Sequence, residues 1–214
     1  MSTSEKEQIE ALQKWWKENG SSIITGLLLG VSILLGGKAW FGYQETQSEN
    51  ASNIYAMMMA ASQADKQEEV RAQANKLISD YTDTGYAPLA SLLLAKYAVQ
   101  DDELAAAQAQ LQWALDHMDS PEIRHEARMR LLQVMIAQQQ YTPAAQLLAS
   151  VTDTGPYDFL YAELEGDLAV AEGEPEKAAS AYKKALDSIP PQAPNRAYLV
   201  AKYENIRGAG TANQ

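Results

Sequence analysis

Two histidines and a few carboxylate pairs are the side chains in this chain of 214 residues that could hold a metal or move a proton. His117 and His125 stand eight residues apart, with Glu122 and Glu126 close by and Pro121 between them. A helix offers two ligands to one metal when they are three or four residues apart, as in H-E-x-x-H. The spacing here does not meet that condition, and a turn at Pro121 frees His117 to point elsewhere, so both are expected as surface histidines. The pairs Asp101-Asp102 and Glu172-Gly-Glu174 fall in turn-like sequence, where carboxylates are solvated and can cap the next helix. Cysteine is absent, which removes disulfides, thiol nucleophiles and thiolate metal sites without fixing a redox compartment. There is no phosphate loop, nucleophile elbow or dinucleotide fingerprint. The expectation is a binding protein with no cofactor, no metal and no catalytic set.

Charge narrows the partners. The formal net charge is −11. Residues 1–41 hold four lysines and four glutamates, so the other 13 basic and 24 acidic side chains carry the whole excess. Such a surface repels phosphate backbones, and nucleic acid is not expected as a partner.

The elements that would position a binding surface begin with an apolar run. Residues 19–37 read NGSSIITGLLLGVSILLGG without a charge. As a helix at about 1.5 Å per residue this run covers roughly the hydrocarbon thickness of a bilayer. Trp15 and Trp16 flank it on one side and Trp40, Phe41 and Tyr43 on the other, an aromatic belt at each interface, while Lys38 can snorkel outward. A buried core helix is a poor alternative. A cleaved signal peptide is the more serious rival, but its apolar region is shorter and its small-x-small site is met here only by Gly37-Lys38-Ala39. Lys6, Lys14 and Lys17 precede the run, and only Lys38 follows it before Lys66, which orients the N-terminus to the cytoplasm. Ser22, Gly26 and Gly30 share one helix face and are expected to admit a second transmembrane helix; the competing reading is that glycine is common in membrane helices. Ile9, Leu12, Trp15 and Trp16 suggest a short helix at the cytoplasmic interface.

Beyond a polar stretch at 44–50, alanine, leucine, glutamine and glutamate dominate and apolar residues recur at three and four, the pattern of helix. Turn signals fall at 81–85, 119–121, 152–156, 173–175 and 190–191, which makes a chain of helix hairpins. Self-comparison shows a repeat. Ala107–Leu111–Ala114, Ala144–Leu148–Val151 and Ala178–Tyr182–Ala185 share one spacing at offsets of 37 and 34 residues, and twelve residues before each lead alanine lie Ala95, Leu132 and Gly166. The last unit fits a 34-residue tetratricopeptide repeat most fully. Ser91, Arg128 and Ala162 stand where an aromatic residue usually opens the first helix, and Leu132 fills a small-residue slot. Residues 51–80 read as an atypical leading hairpin and 195–206 as a closing helix, in keeping with how terminal repeats deviate. The methionines Met57, Met58 and Met59 read as helix packing rather than as an adaptable contact surface. The expected fold is all-α: an N-terminal single transmembrane helix followed by a tetratricopeptide-like solenoid of helical hairpins. Its divisions are a cytoplasmic segment 1–20, a span 21–41, a linker 42–50, a periplasmic domain 51–206 and a flexible tail 207–214.

The order of these parts resembles the YfgM family, the ancillary subunit of the bacterial Sec translocon in Gram-negative inner membranes. The residues that carry the resemblance are KWWKENG at 14–20, YAPLASL at 86–92, ELAAAQAQLQ at 103–112 and ELEGD at 163–167. The resemblance implies a single-pass inner-membrane protein beside the SecYEG channel. It implies work with a membrane-anchored periplasmic chaperone of the peptidyl-prolyl isomerase type, passage of exported client polypeptides toward periplasmic chaperones, and restraint of a cytoplasmic stress regulator through the N-terminal side. A scaffold for cell-envelope assembly or division is the alternative, and an envelope hydrolase is disfavoured by the missing catalytic set.

In such a stack the first helices of successive units line the inner face. Registering the repeats places Leu92, Lys96 and Val99, then Met129, Gln133 and Ile136, then Leu160, Glu163 and Val170 on that face, as a protein-binding groove; the competing reading is that up to half of them are core between repeats.

Overall fold

Strong helix formers without long β-branched runs carry the chain into helix wherever glycine, proline or a tight turn does not interrupt. The computed structural model describes residues 3–212, and the side chains of 7–208. Among these residues the helices are α1 (Thr3–Gln63), α2 (Gln67–Asp80), α3 (Tyr86–Gln100), α4 (Leu104–His117), α5 (Pro121–Ala137), α6 (Tyr141–Ala149), α7 (Asp158–Ala171), α8 (Pro175–Ser188) and α9 (Arg196–Ala212), with one 3-10 turn at Gly155–Tyr157. No strand occurs among the described residues. The five turn signals of the sequence all fall at helix boundaries, with Pro121 and Pro175 opening α5 and α8.

The chain divides at residue 50 into two units. In the first, α1 contains a stretch long and apolar enough to cross a membrane. Its side chains are turned outward all round, with Leu34 74% exposed and Leu27, Leu28, Ile33 and Leu35 little less so. A helix that is apolar on every side is stable in hydrocarbon, where its own i→i−4 bonds satisfy the backbone. Thr25 Oγ1 donates to the Ser21 carbonyl at 2.8 Å, which hides one hydroxyl within the helix itself. The helix is continuous through two stretches read differently from the sequence. Residues 6–18 run on into the apolar stretch as one helix, and the stretch 42–50, expected as a linker, is helical. Polarity alone does not unwind a helix. The stretch from Tyr43 to Asn50 has no proline or glycine, and Thr46 Oγ1 bonds back to the Gly42 carbonyl at 3.0 Å. Similarly, α9 runs on through Ala212, beyond the closing helix expected to stop at 206; positions 213–214 of the expected tail lie outside the described residues.

The second unit is a row of hairpins: residues 51–63 of α1 with α2, then α3 with α4, α5 with α6, and α7 with α8, closed by α9. Every hairpin turns in the same way. Asp65, Asp102, Gln139 and Gly173 have positive φ, at intervals of 37, 37 and 34 residues. The residue after each donates its N–H back across the helix end: Lys66 to Ala61 O at 3.0 Å, Glu103 to Ala98 O at 2.8 Å, Gln140 to Met135 O at 2.9 Å and Glu174 to Ala169 O at 2.8 Å. This six-to-one bond, with a left-handed residue before it, is the Schellman stop of a helix. The leading hairpin is therefore a full member of the repeat. Its sequence hid this because Val70, Ala74 and Leu77 fill the slots held elsewhere by alanine, a large residue and a small one, and Met58 fills the slot of Ala95. All four are wholly buried. Met58 is thus core, Met59 is half-buried, and Met57 alone of the three is exposed.

Three buried clusters follow one another along the row. Met58, Val70, Leu77, Leu94 and Tyr97 form the first. Leu111, Leu131, Leu132, Leu164 and Leu168 form the second. Ala162, Ala178, Tyr182, Ile189 and Leu199 form the third. Each fully buried leucine contributes about 2 kcal/mol of transfer free energy. Leu199 brings α9 into the third cluster as though it were the first helix of a further unit.

Candidate protein-binding groove

The first helices α3 and α5 leave a cavity of about 310 Å³ between them, with α4 as its floor. From α3 come Leu92, Ala95, Lys96, Val99 and Gln100; from α4, Leu104 and Leu111; from α5, Arg130, Gln133, Val134 and Ala137. Most of this lining is aliphatic. The walls are fixed by polar ties at either end. Ser91, the buried polar residue of α3, donates to the Gln110 carbonyl at 2.8 Å or to Gln110 Oε1 at 2.7 Å, which sets the rotation of α3 on α4. Gln138 Nε2 reaches the Leu104 carbonyl at 3.0 Å and Gln108 Oε1 at 2.9 Å, and Gln108 bonds Gln140 at 3.0 Å. This glutamine cluster holds the end of α5 on the start of α4. A cavity of this size, apolar with a few polar groups at its edge, suits an apolar side chain of another molecule.

Of the nine residues placed on the inner face by the repeat register, Leu92, Lys96, Val99 and Gln133 line this one cavity. Val99 is 46% exposed. Ile136 and Leu160 are half-buried and lean on the central cluster. Met129 belongs to that cluster outright, so it is packing rather than an available anchor. Periodicity alone does not separate a packed position of α5 from one on the open face. Val170 is exposed near the end of α7. Arg130 of the cavity rim was not expected from the sequence; it lies one residue past Met129, on the side of the helix that faces α3.

Glu163 is not open either. Lys202 of α9 donates from Nζ to Glu163 Oε1 at 2.8 Å and to Asp167 Oδ1 and Oδ2 at 2.7 and 2.8 Å. Tyr182 Oη donates to Asp167 Oδ1 at 2.7 Å. Burial pulls the Lys202 ammonium down, but the bonds from Asp167 and then Glu163 outweigh it and hold the group above the ordinary lysine value. Tyr182 is pushed well above the ordinary phenol range by burial first and by Asp167 second. Sequence reasoning missed this clamp, because partners 35 and 39 residues apart leave no local spacing to read.

The residues with metal or acid–base chemistry are engaged separately. His117 stacks on Trp113 with centroids 4.0 Å apart and its Nδ1 lies 2.8 Å from the Trp113 carbonyl. His125, expected at the surface, is half-buried against Tyr157 and Tyr161, with Nδ1 2.8 Å from Tyr161 Oη. Asp101 pairs with Arg71 and Glu174 with Lys177. Neither Glu103 nor Glu174, the residues at the starts of α4 and α8, caps its helix through its side chain. In the first unit, the sides of Gly26 and Gly30 where a side chain would sit meet nothing.

The tetratricopeptide repeat-like domain family matches residues 13–208. A protein of Escherichia coli strain K12 described as an ancillary SecYEG translocon subunit is 30% identical over 185 residues, covering 86% of this chain and 88% of its own length. A protein of the same description from Haemophilus influenzae is 30% identical over 187 residues, 87% of this chain and 91% of the relative. A third, from Aggregatibacter actinomycetemcomitans, is 27% identical over 184 residues, 86% and 89% of the two chains.

Proposed function

The chain belongs to the tetratricopeptide repeat-like family of ancillary SecYEG translocon subunits, and from that premise we propose that it is a membrane-anchored interaction subunit of the bacterial Sec translocon. The observation that carries the reading is the aliphatic cavity between α3 and α5, open on the face where the repeat register places a groove. Its apolar lining and the amides of Gln100 and Gln133 suit an extended polypeptide, whose side chain enters while its backbone finds hydrogen-bonding partners at the rim. Exported polypeptides emerging from the channel are the proposed clients, and periplasmic chaperones, among them a membrane-anchored isomerase, take them over. The apolar stretch of α1 is the anchor in the inner membrane, with residues 1–20 in the cytoplasm and the hairpin domain in the periplasm, as the lysine distribution favours. The cytoplasmic segment is then placed to hold a stress response regulator. The open face of Ser22, Gly26 and Gly30 receives a transmembrane helix of the channel.

Copurification from mild detergent tests the assignment. Translocon subunits should accompany the wild-type chain in stoichiometric amounts and be lost from the variant carrying Gly26→Ile and Gly30→Ile. Recovery of envelope-assembly or division enzymes without translocon subunits would favour a scaffold instead.

A further inference from the structure

The cavity between α3 and α5 carries a chemical bias that a general apolar groove does not require. Its interior is aliphatic, from Ala95, Leu104, Leu111 and Val134, while its rim presents two cations, Lys96 and Arg130. This occurs in a chain of net charge −11. Arg130 is engaged by Glu126 on its own helix at 2.7 Å. Lys96 is exposed and forms no ion pair among the described residues, although carboxylates outnumber basic groups throughout the domain.

We infer that the cavity takes an apolar side chain from an extended polypeptide segment whose neighbouring residue is aspartate or glutamate, and that Lys96 pairs with that carboxylate. The inference rests on the groove reading above and specifies the class of segment the groove takes. The volume of about 310 Å³ is ample, since a cavity of about 150 Å³ is enough to hold benzene. A segment with a basic neighbour would bring a third positive charge beside Lys96 and Arg130. Elsewhere the acidic surface repels a carboxylate, so the contact at Lys96 sets the register in which a segment sits.

Fluorescence polarisation with short amidated peptides and the full chain in detergent micelles tests this. One peptide carries a leucine beside glutamates, a second the same leucine beside lysines, and a third alanine in place of the leucine beside glutamates. The first should bind about fivefold more tightly than the second, as expected for an exposed pair gained against a like-charge contact, and the third should bind weakly. Lys96→Glu should invert the order of the first two. Equal binding of the acidic and basic peptides, or an order unchanged by Lys96→Glu, overturns the inference while leaving the groove. Absence of binding by every peptide, with no crosslink from position 99 to any polypeptide, removes the groove reading itself. Binding that appears only when the peptides keep a free C-terminal carboxylate overturns the side-chain assignment.

Discussion

Gly166 lies so close to the ring of Tyr182 that a methyl group on it would stand 2.3 Å from Tyr182 Cε1. The contact brings α7 and α8 together at the one hairpin whose sequence follows the repeat most fully. It also aims the Tyr182 hydroxyl at Asp167. Gly166→Ala should therefore cost about 1–3 kcal/mol, since the ring is wedged in the third cluster and has little room to yield. Thermal unfolding of the full chain in detergent micelles reads the loss. Combining it with Tyr182→Leu, which removes the obstructing ring edge, should give a double variant more stable than additivity allows.

Lys202 is the tie between the closing helix and the carboxylates of α7. Its side chain is 19% exposed and that of Glu163 is 12% exposed, so removing the ammonium strands two acidic groups in poor solvent. Lys202→Met should cost about 2–3 kcal/mol and speed amide exchange along α9 before the rest of the domain. The pH dependence follows from the raised lysine. A group held above its unfolded value of about 10.4 contributes stability that is whole below that pH and fades as pH rises through the folded value. The wild-type α9 should stay docked up to about pH 10 and loosen above it, while the methionine variant loses the lysine part of this alkaline step and keeps only the part that the raised Tyr182 phenol brings.

Gln139 adopts φ of +59° at the same point of the hairpin turn where Gly173 has +77°. A side chain in that region clashes with the following carbonyl, whereas glycine does not. Gln139→Gly should stabilise the domain by about 0.5–1 kcal/mol in denaturant unfolding, and Gly173→Ala should destabilise it by a similar amount.

How much of this was legible in the sequence varies with how local the cause is. The three later hairpins showed themselves through Ala107, Ala144 and Ala178 because a small residue at a fixed offset is what close helices need. The leading hairpin kept the turn and the period but exchanged small for large residues at Met58, Val70 and Leu77, so its membership appears only in the backbone. The continuity of α1 through 42–50 was masked because polar residues are shared by wet helices and by linkers. On the inner face, the register found Leu92, Lys96, Val99 and Gln133 together, yet misplaced Met129. Met129 stands four residues before Gln133, so a packed position and an open one share the same helical spacing. The Lys202 clamp depends on how α9 lies across α7, which no spacing encodes.

Met129 and Val99 separate packing from recognition. Met129→Lys buries an ammonium in the central cluster and should cost more than about 3 kcal/mol, lowering Tm by roughly 6–12 °C. Val99→Lys changes an exposed position and should leave stability within about 0.5 kcal/mol. Circular dichroism melts of the two variants decide whether the cavity wall or the core has been altered.

Site-specific photocrosslinking in intact inner membranes tests the groove most directly, with the probe at position 99 on the cavity wall and, for comparison, at the exposed position 146 on α6. Polypeptides in transit should be captured from position 99 and not from 146, and capture should fall when Leu92 or Gln133 is replaced by lysine. Equal capture from both positions, or none from position 99 during active export, would contradict a groove that grips exported chains.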